Sequence, residues 1–295
     1  MTLQRRTPAT PITLSGPGLF TAKPATITIG PDDHPASHAS DAPGLKIRTA
    51  GDTFAVHARN LSGAVPHPAF AAIPPRCTTL AHAGPPVFTI EHALSALVGL
   101  GITDALIDVE GPEVPIIDGS AEPFAQALQA VGVRTLTQHA TPVRPPRTVR
   151  VEHNDASVTI EPADAPSYSY TLDFGPASPI APATVAWDAS PEAYLNHVAP
   201  ARTFCLAQEA RQMQALGLFS GLTTQDMLVY GPDGPIDNAE RFAHEPAAHK
   251  LLDLIGDLAL VGAPLCARVT AIKSGHALHH KAALAILDAI EADAH

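Results

Sequence analysis

The sequence predicts an α+β protein of two similarly built sheet-and-helix domains, packed as a sandwich with the functional site between them. Short segments of alternating apolar and polar residues, followed by helical periodicity, occur twice along the chain, and an aperiodic segment with three prolines, Thr137 to Arg147, separates the two runs. With 295 residues and 45% hydrophobic content, there is enough apolar material to fill a core in each half. The expected division is residues 1–136, a linker at 137–147, and residues 148–295. Identity between the halves is too low to count as a repeat.

Each element follows from local pattern. Residues 11–30 alternate around Gly16 and Gly18, which suits paired strands, and residues 31–45 read as a loop. Short strand-like runs come at Phe54 to His57 and Thr78 to Leu80, then a helix from Glu91 to Leu100 with Thr89 as its N-cap. A strand at Ala105 to Val109 leads to a turn at Pro115 to Ser120 and a helix from Glu122 to Val131. The second run has strands between 148 and 174 and near 203 and 228, then a helix from Ala247 to Val261. A strand from Ala267 to Lys273 and a helix from Lys281 to Ala292 complete it.

Composition removes several classes of function. A net charge of -11 argues against nucleic-acid binding, which needs a basic surface to displace counterions, while a small anionic ligand stays open. Three widely spaced cysteines (Cys77, Cys205, Cys266) form neither a disulfide framework nor a CxxC metal site. The N-terminal MTLQRRTPAT is followed by no apolar signal core, and no run of about 18 apolar residues occurs. The expectation is a cytoplasmic monomer with no membrane insertion.

The strongest chemical pattern is on the helix near 250. His249, Asp253 and Asp257 recur at four-residue intervals and form one polar stripe, while Leu251, Leu252, Leu254, Ile255 and Leu258 supply apolar surface. Imidazole and carboxylate one turn apart suit one zinc ion. A solvated face that carries a histidine gives the same pattern. His244 to His249 resembles the HExxH protease signature, but its histidines are five apart and Pro246 cannot sit inside a helix, so His244 and Glu245 read as a loop. In Thr89-Ile90-Glu91-His92, a histidine follows a carboxylate in a first helical turn, which offers a third zinc ligand and a general base together. Chance also yields such a dipeptide in a chain with 15 histidines. In Lys273-Ser274-Gly275-His276, small residues present His276 as an acid or oxyanion stabiliser, and His279 and His280 make the run His-rich.

Taken together these motifs resemble a known family. Ile90-Glu91-His92, Pro115 to Ser120, Ala201-Arg202-Thr203-Phe204, His249-Lys250-x-x-Asp253-x-x-Gly256-Asp257 and Lys273 to Leu278 are similar, in order and spacing, to the UDP-3-O-acyl-N-acetylglucosamine deacetylases. That family performs the committed step of lipid A synthesis, and the resemblance runs from Thr13 to Ala292. It implies one zinc per chain on His92, His249 and Asp253, with Glu91 deprotonating water. It further implies His276 as a second catalytic group oriented by Asp257, and Thr203 and Lys250 near the amide carbonyl. For substrate binding it implies Phe174 under the uracil, Lys273 near the diphosphate, and an apolar acyl passage along Phe204, Leu206, Ala210 and Met213. Asp118 reads as turn chemistry. The partner is then a UDP-sugar carrying an acyl chain.

The sequence also departs from the family pattern. Gly16-Pro17-Gly18-Leu19-Phe20 stands where Gly-x-Gly-Leu-His is usual, Ser220 to Asp226 replaces a glycine-rich run, and His279 replaces an asparagine. The zinc constellation is intact and the surrounding substrate shell differs. Two alternatives therefore stay open: a deacetylase of a different UDP-amino sugar, and a noncatalytic zinc-stabilised binding protein, which would need neither Glu91 nor His276.

Overall fold

The structure, a computed structural model, describes residues 2–32, 44–219, 223, 224 and 226–294. The first half runs β1 (Leu3–Pro8), β2 (Ile12–Pro17), β3 (Pro24–Gly30), β4 (Leu45–Thr49), β5 (Asp52–Ala55), β6 (Thr79–Leu80), β7 (Val87–Phe88), α1 (Glu91–Gly99), β8 (Ala105–Glu110), α2 (Glu122–Val131) and β9 (Val133–Ala140). The second runs β10 (Val149–His153), β11 (Ala156–Pro162), β12 (Ser167–Leu172), β13 (Ala183–Trp187), α3 (Pro191–His197), β14 (Phe204–Leu206), α4 (Ala207–Ala215), β15 (Leu228–Gly231), β16 (Gly234–Pro235), α5 (Glu245–Leu258), β17 (Ala267–Ile272) and α6 (His276–Asp293). The expected loop at 31–45 lies mostly outside the described residues.

Each half contains a five-stranded sheet, and the two sheets share one plan. The orders are β2-β3-β8-β4-β5 and β10-β11-β17-β12-β13. All neighbours are antiparallel except β4 with β8 and β12 with β17. In both sheets the middle strand is the last one made and inserts between two earlier hairpins. The alternation explains which face is covered: Ala25, Ile27 and Ile29 of β3, Ala105, Ile107 and Val109 of β8, and Ala267, Val269 and Ala271 of β17 are buried, with more exposed residues between them. The α+β plan of two like units is therefore as the sequence predicts.

The helices join the halves. α1 packs on α5, α5 on β12 and β13, and α6 on β10 and β11, within one continuous core that draws on both sheets. All of α5 except Lys250 and all of α1 except Val98 are buried. A helix enclosed on every side must make each polar residue useful or lose the cost of its desolvation. The two helices also meet closely: a Cβ on Gly256 would lie 2.1 Å from the carbonyl oxygen of Glu91, so only glycine fits there.

Three boundaries differ from expectation. Residues 137–140, read as the start of an aperiodic linker, belong to β9, which pairs antiparallel with β1; the signal was hidden because this two-stranded ribbon covers little apolar surface. Glu245 opens α5 and Pro246 occupies its first turn, where the missing N–H costs nothing. α6 starts at His276, five residues earlier than read, with Gly275 as its N-cap residue.

Candidate active site and metal centre

The start of α1 and the middle of α5 face each other across the helix pair. Thr89 is not the N-cap of α1: its φ of 60° is left-handed and its Oγ1 donates to Glu113 Oε1 at 2.8 Å, which leaves Ile90 at the cap without a side-chain bond. Glu91 and His92 are then the first two helical residues, both buried. From α5, His249 and Asp253 point to the same spot.

His92, His249 and Asp253 each bring one ligand-type atom within 4.8 Å of the others. His92 Nε2 lies 3.7 Å and His249 Nε2 3.4 Å from Asp253 Oδ1. The His249 Nδ1–H donates to the carbonyl of Ala201 at 3.0 Å, since a carbonyl can only accept, so Nε2 keeps its lone pair. Burial pushes His249 down to about 3, so the ring is neutral. Asp253 Oδ2 takes the Lys250 ammonium at 2.8 Å. Burial opposes its charge, but the Lys250 ammonium outweighs that and holds Asp253 well below the usual carboxylate range.

Asp253 Oδ1 has no hydrogen-bond partner among the described residues although it is buried. An ionised oxygen without a donor is costly in a protein interior, and two imidazole nitrogens beside it form a donor set suited to zinc. The residues present fit the metal that the sequence implies. Lys250 also lies 5.8 Å over the Phe204 ring, which fixes its stem beside the cluster.

Two further groups complete the constellation. Glu91 Oε2 accepts the Thr78 N–H at 3.0 Å, and burial raises its pKa above the ordinary value. His276 Nε2 is 3.8 Å from both Glu91 Oε1 and Asp253 Oδ2, and its Nδ1–H donates to Asp257 Oδ2 at 2.8 Å. Burial disfavours charge on this ring, but Asp257 and then Asp253 prevail and raise it to about 9. At neutral pH His276 is therefore an imidazolium.

Asp257 is held by more donors than the sequence shows. The His279 Nδ1–H reaches its Oδ2 at 2.7 Å, and the Thr78 hydroxyl donates to Oδ1. His279 Nε2 accepts from the Ser274 hydroxyl at 2.9 Å, and His280 Nε2 contacts Thr78 Oγ1 at 2.8 Å. Asp257, His276 and His280 also meet the spacing of a metal group, but these donors already occupy both Asp257 oxygens. The His-rich run is thus a hydrogen-bond network around Asp257. With α6 starting at His276, positions 276, 279 and 280 share one face, a periodicity that a helix starting at 281 conceals.

Glu91, His92, His249, Asp253 and His276 line one end of a cavity of about 460 Å³, together with Thr203, Lys250, Phe204 and Phe174. Thr203 is placed by its N–H, which donates to Gly119 O at 2.7 Å. That turn is fixed by Asp118, whose Oδ1 accepts from the Ser120 N–H and hydroxyl and whose Oδ2 pairs with Arg241, the structural task expected of it. Phe174 is 54% exposed and meets Phe204 edge-on at 6.2 Å, so an apolar ring stands at the rim. Lys273 is not part of the lining; its Nζ lies 3.0 Å from both Asp155 and Asp173.

The other end is mostly apolar, and of the four residues expected along it Phe204 and Met213 line the cavity while Leu206 and Ala210 do not. Leu206 packs against the main core, whereas Cys205 and Glu209, in four-residue step with Met213, join the lining. α4 begins at Ala207 directly after β14, so the strand sets which helical face looks inward. Leu19, Phe20, Phe70, Phe219 and Met227 form the facing wall. The polar-to-aromatic change at Phe20 is therefore part of this wall. Within the altered Ser220 to Asp226 segment, residues 220–222 and 225 lie outside the described residues.

Known proteins share this sequence pattern. The family model described as UDP-3-O-acyl N-acetylglycosamine deacetylase matches residues 5–288. A UDP-3-O-acyl-N-acetylglucosamine deacetylase of Anaeromyxobacter dehalogenans is 35% identical over 277 residues, 93% of this chain and 84% of that protein. Proteins of the same name from Trichormus variabilis and Legionella pneumophila are 39% and 37% identical, over 68% and 70% of this chain and 73% and 68% of their own lengths. Among the described residues no helix is long and apolar enough to cross a membrane.

Proposed function

Because the chain belongs to the UDP-3-O-acyl N-acetylglycosamine deacetylase family, we propose that the constellation around His92, His249 and Asp253 hydrolyses the N-acetyl group of UDP-3-O-acyl-N-acetylglucosamine, the deacetylation used in lipid A biosynthesis. The observation that carries the residue assignment is the orphaned Asp253 Oδ1 between two imidazoles, with a proton-accepting carboxylate and a protonated histidine beside it.

His92, His249 and Asp253 would hold one zinc ion. When bound, it supplies Lewis-acid polarisation and a more acidic water. Glu91, oriented by the Thr78 N–H, takes a proton from the attacking water. The water oxygen bonds to the acetyl carbon and the C–N bond breaks. His276, kept charged by Asp257, stabilises negative charge on the acyl oxygen and gives its Nε2 proton to the leaving nitrogen, so the products are acetate and the amine. Lys250 and Thr203 border the space for the carbonyl and the sugar.

The rest of the reading concerns the substrate and its setting. Phe174 offers the uracil an exposed ring, and Lys273 meets the diphosphate by giving up one of its two carboxylate partners. The acyl chain occupies the apolar end of the cavity, where Phe204 and Met213 contribute. In the proposed division, residues 1–136 supply Glu91 and His92, and residues 148–295 supply the remaining site residues. One chain thus carries every group, in agreement with a monomer, and three unpaired cysteines suit the cytoplasm. A noncatalytic binding protein would leave Glu91 and His276 without a task.

The decisive test is acetate release from UDP-3-O-acyl-N-acetylglucosamine with and without a zinc chelator. Release that stops on chelation and returns with zinc is the expected result. No release from zinc-loaded protein, with release from another UDP-amino sugar, would transfer the assignment to that sugar.

A further inference from the structure

The wall facing Met213 is built more rigidly than a simple apolar lining requires. It comes from the loop between β2 and β3, Gly18 to Lys23, and that loop is held by one buried carboxylate. Glu113, fully buried, accepts the Phe20 N–H at 3.0 and 3.2 Å, the Thr21 N–H at 2.8 Å and hydroxyl at 2.7 Å, and the Thr89 hydroxyl at 2.8 Å. Among the described residues none of its partners is a cation. A carboxylate satisfied only by such a set of N–H and O–H donors fixes the backbone that provides them. Gly18 lets the chain come this close, since a Cβ there would lie 2.3 Å from Glu113 Oε2.

The side chain so fixed is Phe20, 7% exposed. Its ring meets Phe70 edge-on at 5.3 Å and Phe219 at 6.1 Å. Cys77, Phe88 and Ile116 are buried in the same cluster as these rings. A second boundary of the cavity lies at Arg76, whose guanidinium pairs with Glu209 at 3.2 Å and bridges two lining segments.

Resting on the deacetylase reading above, we propose that Phe20, anchored through Glu113, sets the upper length of the acyl chain the enzyme accepts. A close-packed interior does not stretch by a methylene at a time. A chain that reaches the Phe20 ring must push its packed neighbours aside or leave its last carbons in water, and either loss falls on the longer substrate. Glu113 acts through the backbone of Phe20 and is a positioning residue. Its link to Thr89, two residues before Glu91, ties the wall to the start of α1.

The test measures kcat/KM for acetate release over a homologous series of 3-O-acyl chains, lengthened two carbons at a time. Wild type is expected to gain with length up to a ceiling and then fall. Phe20→Ala is expected to move the ceiling to longer chains, with roughly tenfold gain per two-carbon step newly accommodated, from the transfer free energy of a methylene. Glu113→Gln is expected to blur the ceiling, whereas a merely structural loss would lower every rate alike. Phe20→Leu keeps an apolar side chain should the alanine variant fold poorly, and should give a smaller move in the same direction. An unchanged ceiling in both Phe20 variants, or one that moves only in Arg76→Ala, overturns the proposal. Equal rates at every length in wild type overturn it too while leaving the deacetylase reading standing; no release at any length overturns both.

Discussion

Replacing Gly256 with alanine probes how the site depends on two helices touching. A Cβ there would lie 2.1 Å from the Glu91 carbonyl oxygen and 2.9 Å from its carbon, against 3.4 Å or more for ordinary contact. The obstacle is backbone inside the core, so α1 and α5 must part by about 1.3 Å, the difference between 3.4 and 2.1 Å. Overpacking of this kind costs about 1–3 kcal/mol of stability, which is a few degrees of Tm for a chain of this size. The functional loss should be larger. Glu91 and His92 ride on α1 while His249 and Asp253 ride on α5. Metal–ligand distances tolerate only about 0.2 Å, and misplacing a reacting group by about 1 Å can cost roughly 100-fold in rate. Zinc per chain, Tm and acetate release would be measured on Gly256→Ala beside Gly99→Ala, whose Cβ would instead meet the Tyr194 ring at 2.4 Å. The expected outcome is that both variants lose Tm and only Gly256→Ala loses zinc and activity. Wild-type zinc content and turnover in Gly256→Ala would refute the argument that this contact sets the ligand geometry.

Further outcomes follow from single residues. His249→Ala and Asp253→Ala should each lose most of the bound zinc, a loss of several kcal/mol in affinity readable by metal analysis; unchanged zinc in both would remove the site. Glu91→Gln should keep zinc and fold while kcat falls by roughly 100-fold or more, and near-normal turnover would exclude proton abstraction by Glu91. The active form needs Glu91 ionised and His276 protonated, so kcat/KM should fall on the acid side as Glu91, raised by burial, takes a proton, and on the alkaline side near pH 9 as His276 loses one. Asp257→Asn removes the charge that outweighs burial at His276, so the alkaline limb should move to lower pH; a limb fixed near 9 would count against His276 as the acid. Met213→Asp should abolish the gain from longer acyl chains without loss of zinc, while Ala210→Asp, outside the lining, should preserve it, and the reverse result would restore the register read from sequence.

The α5 stripe was legible as a pattern, three polar residues at helical spacing beside five apolar ones, but the burial that separates it from a solvated face came only with the structure. Glu91-His92 and His276 were legible through motif spacing. Three features were not. The register of the acyl side depends on where β14 hands over to α4, and hydrophobic period fixes a face only relative to the element's start. Thr78 reaches Asp257 from 179 residues away, which no local pattern encodes, and the shared face of His276, His279 and His280 was concealed by reading the last helix from 281. Glu113 stands in no motif of the sequence, and only the fold brings Phe20, Thr21 and Thr89 to it.

The common plan of the two sheets has a consequence for how the protein is made. Vectorial synthesis delivers β10 to β13 first, so the second sheet waits on the ribosome as two hairpins with its middle lane vacant until β17 emerges. Only then can α6 follow and bring His276 to a constellation whose earlier members, Glu91 and His92, were translated more than half a chain before. Premature termination shortly before β17 would remove the keel of that sheet rather than its edge, and what remained would expose the facing strands β11 and β12 to other nascent chains. His276 is therefore the last of these side chains to be made, after His92, His249 and Asp253 are already in the chain.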